Sequence, residues 1–314
     1  MTPSAPLRRR VDGVLLLDKP TGITSNAALM RAKRLFHAEK AGHTGTLDPL
    51  ASGLLPICFG VATRFAQFLL DAPKRYLATI RFGTSTTTQD AEGDVVASCP
   101  VALDRAGVEA ALPRFVGAMM QTPPAHSALK FRGTPHYEYA RRGVDVPRVP
   151  REVTVYRLAL LDWRAPDATL DVECSKGTYV RALAADLGDA LGCGAHLAAL
   201  RRTASGGFDI AAAVTLEALE GMSADARDRC LVPAAALVAH LPRLDLDAAS
   251  STAFLHGRAV ELGAPEAALA REGVCAVFAR DALIGVADVA GGMARPRRLM
   301  PTESMQRGRA AATA

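Results

Sequence analysis

The chain has 314 residues, 49% of them hydrophobic and 22% charged, which leaves room for one large or two modest globular domains and excludes a disordered or fibrous protein. No apolar run reaches membrane-span length, and Arg8, Arg9 and Arg10 lead into no apolar signal segment, so a soluble cytoplasmic protein is expected. Six scattered cysteines with no C-x-x-C pair argue against a zinc site or a disulfide framework, while a net charge of +5 admits a polyanionic partner.

Val14 to Leu17 reads as a short buried strand, closed by the Pro/Gly turn Asp18-Lys-Pro-Thr-Gly. Thr24, Ser25 and Asn26 are all capable N-caps for a helix that runs through Leu29, Ala32 and Phe36. The stretch from Ala41 to Pro56 follows, with Asp48 at its centre and only His43 as a further titratable group. Pro49 pushes Asp48 out of the helical region, so its carboxylate is expected on a stiff loop in front of the apolar run Leu54 to Phe59. A carboxylate so placed suits a nucleophile, a base, a metal ligand or a simple turn residue. Residues 60 to 70 have helical spacing, with Arg64 turned to a ligand or to solvent.

Tyr76 to Phe82 alternates as a half-buried strand. The polar residues 83 to 94 are expected to form a loop, without the carboxylate spacing of a calcium site. Leu103 to Met119 has helical periodicity, which Pro113 should end at about Leu112. From His126 to Arg151 the net charge is +4, and Phe131, His136, Tyr137 and Tyr139 lie among Lys130, Arg141 and Arg142, a mixture suited to stacking on unpaired bases. Val153 to Trp163 and Thr169 to Cys174 read as neighbouring strands, and a helix follows from Ala182 to Leu191. Arg181, at that strand-to-helix junction, is the best partner for Asp48, because guanidinium keeps its proton in any environment. Leu197 to Thr203 reads as another strand.

After about residue 240 the pattern changes to short β-runs. A helix is expected within Leu244 to His256, a strand from Gly257 to Leu262, and a hairpin of Val274 to Arg280 with Leu283 to Val289. A basic strand, Arg295 to Met300, comes next, and residues 303–314 read as a disordered tail. Residues 291–314 carry a net +4, against −3 for residues 241–290.

Six segments in order carry a family resemblance: GVLLLDKPTGITS (13–25), AGHTGTLDPLASGLLPICFG (41–60), KRYLATIRFG (74–83), SALK with YEYAR after it (127–141), CSKGTYVRALAADLG (174–188) and GAHLAALRRT (194–203). Together they resemble the TruB-type tRNA pseudouridine synthases over nearly all of residues 11 to 210. The position before SALK, most often Tyr or Phe in that family, is His126 here.

The resemblance implies an α+β catalytic domain over residues 1–240, with a mixed, largely antiparallel sheet flanked by helices and a thumb-like RNA-binding insertion at about 121–151. It also implies a small β-rich PUA-like domain over 241–302. The implied reaction converts uridine 55 in the T-loop of tRNA to pseudouridine, with no cofactor and no metal. By the same resemblance Asp48 is the essential catalytic group, attacking the sugar or removing a sugar proton. Tyr76 stacks on the target base and is placed to receive its C5 proton, and Arg181 pairs with Asp48. His43 fills the gap left by the flipped base, Tyr179 and Leu200 line the nucleotide pocket, and Lys19 and Pro20 pack beneath Tyr76. Arg64, Lys130, Arg141 and Arg142 are expected to contact RNA, which is read by shape, stacking and phosphate contacts. A monomer is expected. The competing readings are an RNA-binding or RNA-folding protein without required catalysis, and an aspartyl phosphotransferase. The second lacks its D-x-D pattern, since position 50 is Leu.

Overall fold

A computed structural model describes residues 8–263 and 272–301. The expected tail at 303–314 lies outside the described residues. The main body is an eleven-stranded sheet. Its principal path runs Val214–Thr215, Gly13–Lys19, Ser52–Phe59, Ala195–Ser205, Lys74–Phe82, Asp167–Cys174, Arg151–Arg164 and Gly117–Gln121. Most neighbours are antiparallel. The exceptions on this path are Arg201 and Arg202 beside Ser52 and Gly53, and Leu17 and Asp18 beside Val214 and Thr215.

The sheet is held by apolar clusters that its alternating strands supply. On one side Ile80, Val172 and Leu197 pack with Leu183, Ala184 and Leu187 of the helix Val180–Ala190. Elsewhere the helix Ser25–Leu35 buries Ala28 and Ala32 against Leu15, Leu17 and Ile57. Phe36 and Phe59 close that cluster with ring centroids 4.9 Å apart. Thr24 caps the helix by accepting from Ala27 N, whereas Ser25 turns to Leu47 instead.

Four segments differ from the sequence expectation. Residues 60 to 70 form a 3-10 turn, Gly60–Arg64, and then the helix Ala66–Asp71, rather than one helix. Thr63 Oγ1 donates to Gly60 O and holds the tight turn, leaving Ala62 and Phe65 both buried. The polar residues 83 to 94 are partly ordered as a strand, Thr84–Thr86, paired with Val95–Ser98. Its stabilising contacts are polar, with Thr86 Oγ1 donating to Asp90 O, so no apolar alternation announces it. The region beginning at Leu244 opens with a strand, Arg243–Asp245, before Asp247 caps the helix Ala248–Leu255. Pro113 acts as expected, since the helix Arg105–Ala111 stops and a 3-10 turn, Leu112–Phe115, takes over, but the helical spacing read as far as Met119 gives way to the strand Gly117–Gln121, which pairs with the strand Arg151–Arg164.

A second sheet of five strands runs in the order Arg243–Asp245, Gly273–Ala279, Ala282–Ala290, Met293–Leu299 and Val260–Glu261. Phe254 is fully buried there with Leu244, Val277 and Ile284. This β-rich module shares a core with the larger one. Phe65, Phe68 and Leu69 belong to the same apolar cluster as Ala276, Leu283 and Val286. The two modules are therefore expected to unfold together in calorimetry, as one transition. Phe68→Ala should lower the stability of the whole by about 3–5 kcal/mol, and two separately resolved transitions would contradict the shared core.

Candidate active site

Asp48 sits in the segment between the short strand Ala41–His43 and the strand Ser52–Phe59. The loop is tied down on both sides. Ser25 Oγ donates to Leu47 O at 2.9 Å and accepts from Leu47 N at 2.8 Å, while Gly22 N donates to Pro49 O. Ala51 N closes a turn by donating to Asp48 O. The Asp48 side chain is thus presented from a fixed backbone and remains 46% exposed, open to a ligand.

Arg181, in the first turn of the helix Val180–Ala190, is the opposite: its side chain is 7% exposed. Nη2 lies 3.0 Å from Asp48 Oδ2, and Nη1 lies 3.4 Å from Oδ2 of Asp90, which is itself buried. The same guanidinium donates to Thr88 O at 3.0 Å and His126 O at 2.8 Å. A buried cation with two carboxylates and two carbonyls around it is well satisfied.

Asp48 and Arg181 line a pocket of about 300 Å³ together with Tyr76, Tyr179, Leu200, Ser127, Lys74 and Arg202. Tyr76 comes from the strand Lys74–Phe82, with Val172 opposite it on one side and Arg202 on the other. Burial pushes its phenol up, and the neighbouring Arg202 draws it partly back. Burial likewise raises the Tyr179 phenol. Lys19 is fully buried and donates to Pro20 O and Ile23 O; burial lowers its pKa to about 8, partly offset by the charge of Asp48. Pro20 itself is exposed.

The remaining sequence candidates stand apart. His43 is half-buried on the strand Ala41–His43, not among the pocket-lining residues; its Nδ1 is buried without a hydrogen-bond partner. Burial and then the charge of Arg202 lower its pKa. Arg64 lies outside the pocket, donating to Leu299 O and lining the cleft between the two modules with Arg297 and Arg298. Its place is set by the tight turn after Gly60, which was not legible as such. Lys130, Arg141 and Arg142 are exposed on the segment that holds the helix His136–Arg141. The aromatics there are engaged within the segment: Phe131 packs edge-on against Tyr139, and Arg141 covers the Tyr137 ring.

Asp90, Lys74, Ser127 and Arg202 were not singled out from sequence. Asp90 lies in the polar stretch without apolar periodicity. Lys74 Nζ points to the carbonyls of Leu69, Leu70 and Ala72, and burial lowers its pKa to about 8. Arg202 occupies a strand position that should face the core, a signal that pairing it with Tyr76 would have needed the sheet order to reveal.

Residues 33–180 match the TruB family pseudouridylate synthase N-terminal domain, residues 181–239 the tRNA pseudouridylate synthase B C-terminal domain, and residues 242–300 the pseudouridine synthase II TruB C-terminal region. The chain is 56% identical over 298 residues to tRNA pseudouridine synthase B of Burkholderia mallei (strain NCTC 10247), covering 94% of this chain and 99% of that one. To the protein of the same name from Thiobacillus denitrificans it is 54% identical over 298 residues, covering 95% and 98%. Among solved structures, a chain of a Cbf5-Nop10-Gar1 complex superposes with a TM-score of 0.72 at 27% identity, over 96% of this chain and 92% of that one. A chain of an H/ACA RNP bound to a substrate RNA containing 2′-deoxyuridine gives 0.68 at 26% identity, over 92% and 85%. The mixed sheet with its β-rich C-terminal module is the fold of the pseudouridylate synthases. Within that class, the chain belongs to the TruB family.

The lowered pKa of His43 has a consequence for stability. The unfolded ring titrates near 6.5 and the folded ring below it, so the unfolded state binds more protons as the pH falls beneath that value. Stability present above pH 6.5 is lost as the pH drops through the folded pKa. His43→Gln should therefore flatten the dependence of unfolding free energy on pH between about 5 and 7. Denaturant titrations at several pH values would read this, and an unchanged slope would refute it.

Proposed function

We propose that the protein isomerises uridine 55 in the T-loop of tRNA to pseudouridine, with Asp48 as the catalytic carboxylate. The observation that carries the reading is the pairing of a half-exposed Asp48 with a buried Arg181 in the pocket that also holds Tyr76, within a chain of the TruB family. Such a pocket admits one nucleotide rather than a duplex, so the target must leave its stack, at a cost of about a few kcal/mol. Asp48 acts on the ribose and the C1′–N1 bond breaks. The freed uracil turns and rejoins through C5. C5 gives up a proton, which Tyr76 is placed to receive, and N1 gains one, so atoms balance without a cofactor.

In this reading Tyr179 and Leu200 line the nucleotide site, and His43 fills the space vacated in the T-loop. Lys19 and Pro20 form the turn that supports the site. The basic segment 121–151, with Lys130, Arg141 and Arg142, closes over the T arm. The module spanning 241–302 contacts the acceptor stem, with Arg64 and the neighbouring arginines supplying charge to phosphates.

The test is pseudouridine formation on an isolated T-arm stem-loop. Wild type should convert it, whereas Asp48→Asn should bind it nearly unchanged and turn it over at least about a thousandfold more slowly. Arg181→Lys should lose about a hundredfold in rate, because an ammonium cannot reproduce the guanidinium fork that serves two carbonyls and two carboxylates at once. Tight binding with no conversion by the wild type would instead identify an RNA-binding protein.

A further inference from the structure

Arg202 is the largest fully buried side chain among the described residues, at 1% exposure. Burying a cation is costly unless its donors are met. Here its donors meet main-chain carbonyls rather than carboxylates: Nε donates to Leu54 O at 2.7 Å and Nη2 to Gly45 O at 3.0 Å. Those two carbonyls belong to residues on either side of Asp48, one before it and one after it in the chain. A single guanidinium thus spans the base of the loop that presents the carboxylate.

The backbone is shaped to admit it. Gly45 has φ +81°, and a Cβ there would come within 3.3 Å of Arg202 Nη1. Gly53, at φ +101°, lies opposite Arg202 in the parallel strand pair, where a Cβ would stand 2.3 Å from Arg202 O. Only glycine lets the two strands approach so closely. On its other side Arg202 is the register partner of Tyr76, and the two side chains line the same pocket.

We propose that Arg202 is a positioning residue for the reaction, clamping both ends of the Asp48 loop and holding Tyr76 in register with it. The inference rests on the function proposed above. Through Arg202 the carboxylate and the phenol, which come from separate parts of the chain, share one rigid support. The charge of Arg202 also reaches the surrounding groups: burial first and then Arg202 lower the pKa of Lys19, His43 and Lys74, while Arg202 partly offsets the rise that burial gives the Tyr76 phenol. Lys at position 202 would keep a cation but could not span both carbonyls.

The experiment compares wild type, Arg202→Lys and Arg202→Met on the T-arm stem-loop, with melting temperature, equilibrium affinity and single-turnover rate measured for each. Arg202→Lys is expected to fold and to bind the stem-loop within about twofold of wild type, while its single-turnover rate falls about a hundredfold, as expected for a misplaced reacting group. Arg202→Met should fall at least as far. Wild-type rate in Arg202→Lys overturns the proposal. So does a variant that fails to fold, or one whose affinity falls in step with its rate, since either marks Arg202 as a folding brace. An inactive wild type would count against the function itself and is read separately, in the same assay.

Discussion

The guanidinium of Arg181 is shared among two carboxylates and two carbonyls drawn from three parts of the chain. Asp48 comes from the loop before the strand Ser52–Phe59, Thr88 and Asp90 from the polar excursion after Phe82, and His126 from the start of the basic segment. Apart from Thr88 and Asp90, which are joined by a local hydrogen bond, none of these is held to another by local sequence. The planar fork of an arginine, with five donors and a permanent charge, is the side chain able to serve them at once. Because Arg181 is buried, the arrangement is shielded from solvent and weakly screened, whereas Asp48 itself stays accessible. A fixed, buried cation beside an exposed carboxylate gives that carboxylate one orientation before any ligand arrives.

The rest of the fold serves this junction. The helix Val180–Ala190 carries Arg181 in its first turn and is pressed onto the sheet by Leu183, Ala184 and Leu187. The central strands set Tyr76 between Val172 and Arg202, so that a phenol stands over an apolar floor with a cation at its side. Ser25 fastens the loop from beneath through two bonds to Leu47. The β-rich module lies against the helix Ala66–Asp71 through a continuous apolar cluster. This fixes a cleft lined by Arg64, Arg297 and Arg298 near the end of the pocket, with Leu70 bordering both.

Much of this was legible in the residues. The alternation of Tyr76 to Phe82, the buried run before Asp18 and the β-runs after residue 240 all correspond to strands, the first marked by alternation and the second by continuous apolar burial. The expectation that Arg181 would partner Asp48 matches the 3.0 Å contact between them. Asp90 was not legible, since it is a polar residue in a polar stretch and becomes buried only when that stretch folds back beside Leu197. The break in the helix after Gly60 and the strand before Asp247 escaped for a simpler reason: each is only three to five residues long, too short for periodicity to resolve.

By itself the sequence determined the stiff loop of Asp48 and the candidate pairing of that carboxylate with an arginine, because proline geometry and charge complementarity are local or pairwise rules, while the fold class came from the resemblance of its ordered motifs to a family. Tertiary structure alone decided which distant groups share one guanidinium, that Arg202 rather than a carboxylate braces the Asp48 loop, and that Arg64 faces the cleft between modules. Those outcomes depend on strand order and register, and a register is set by the packing of whole faces of a sheet rather than by any single segment.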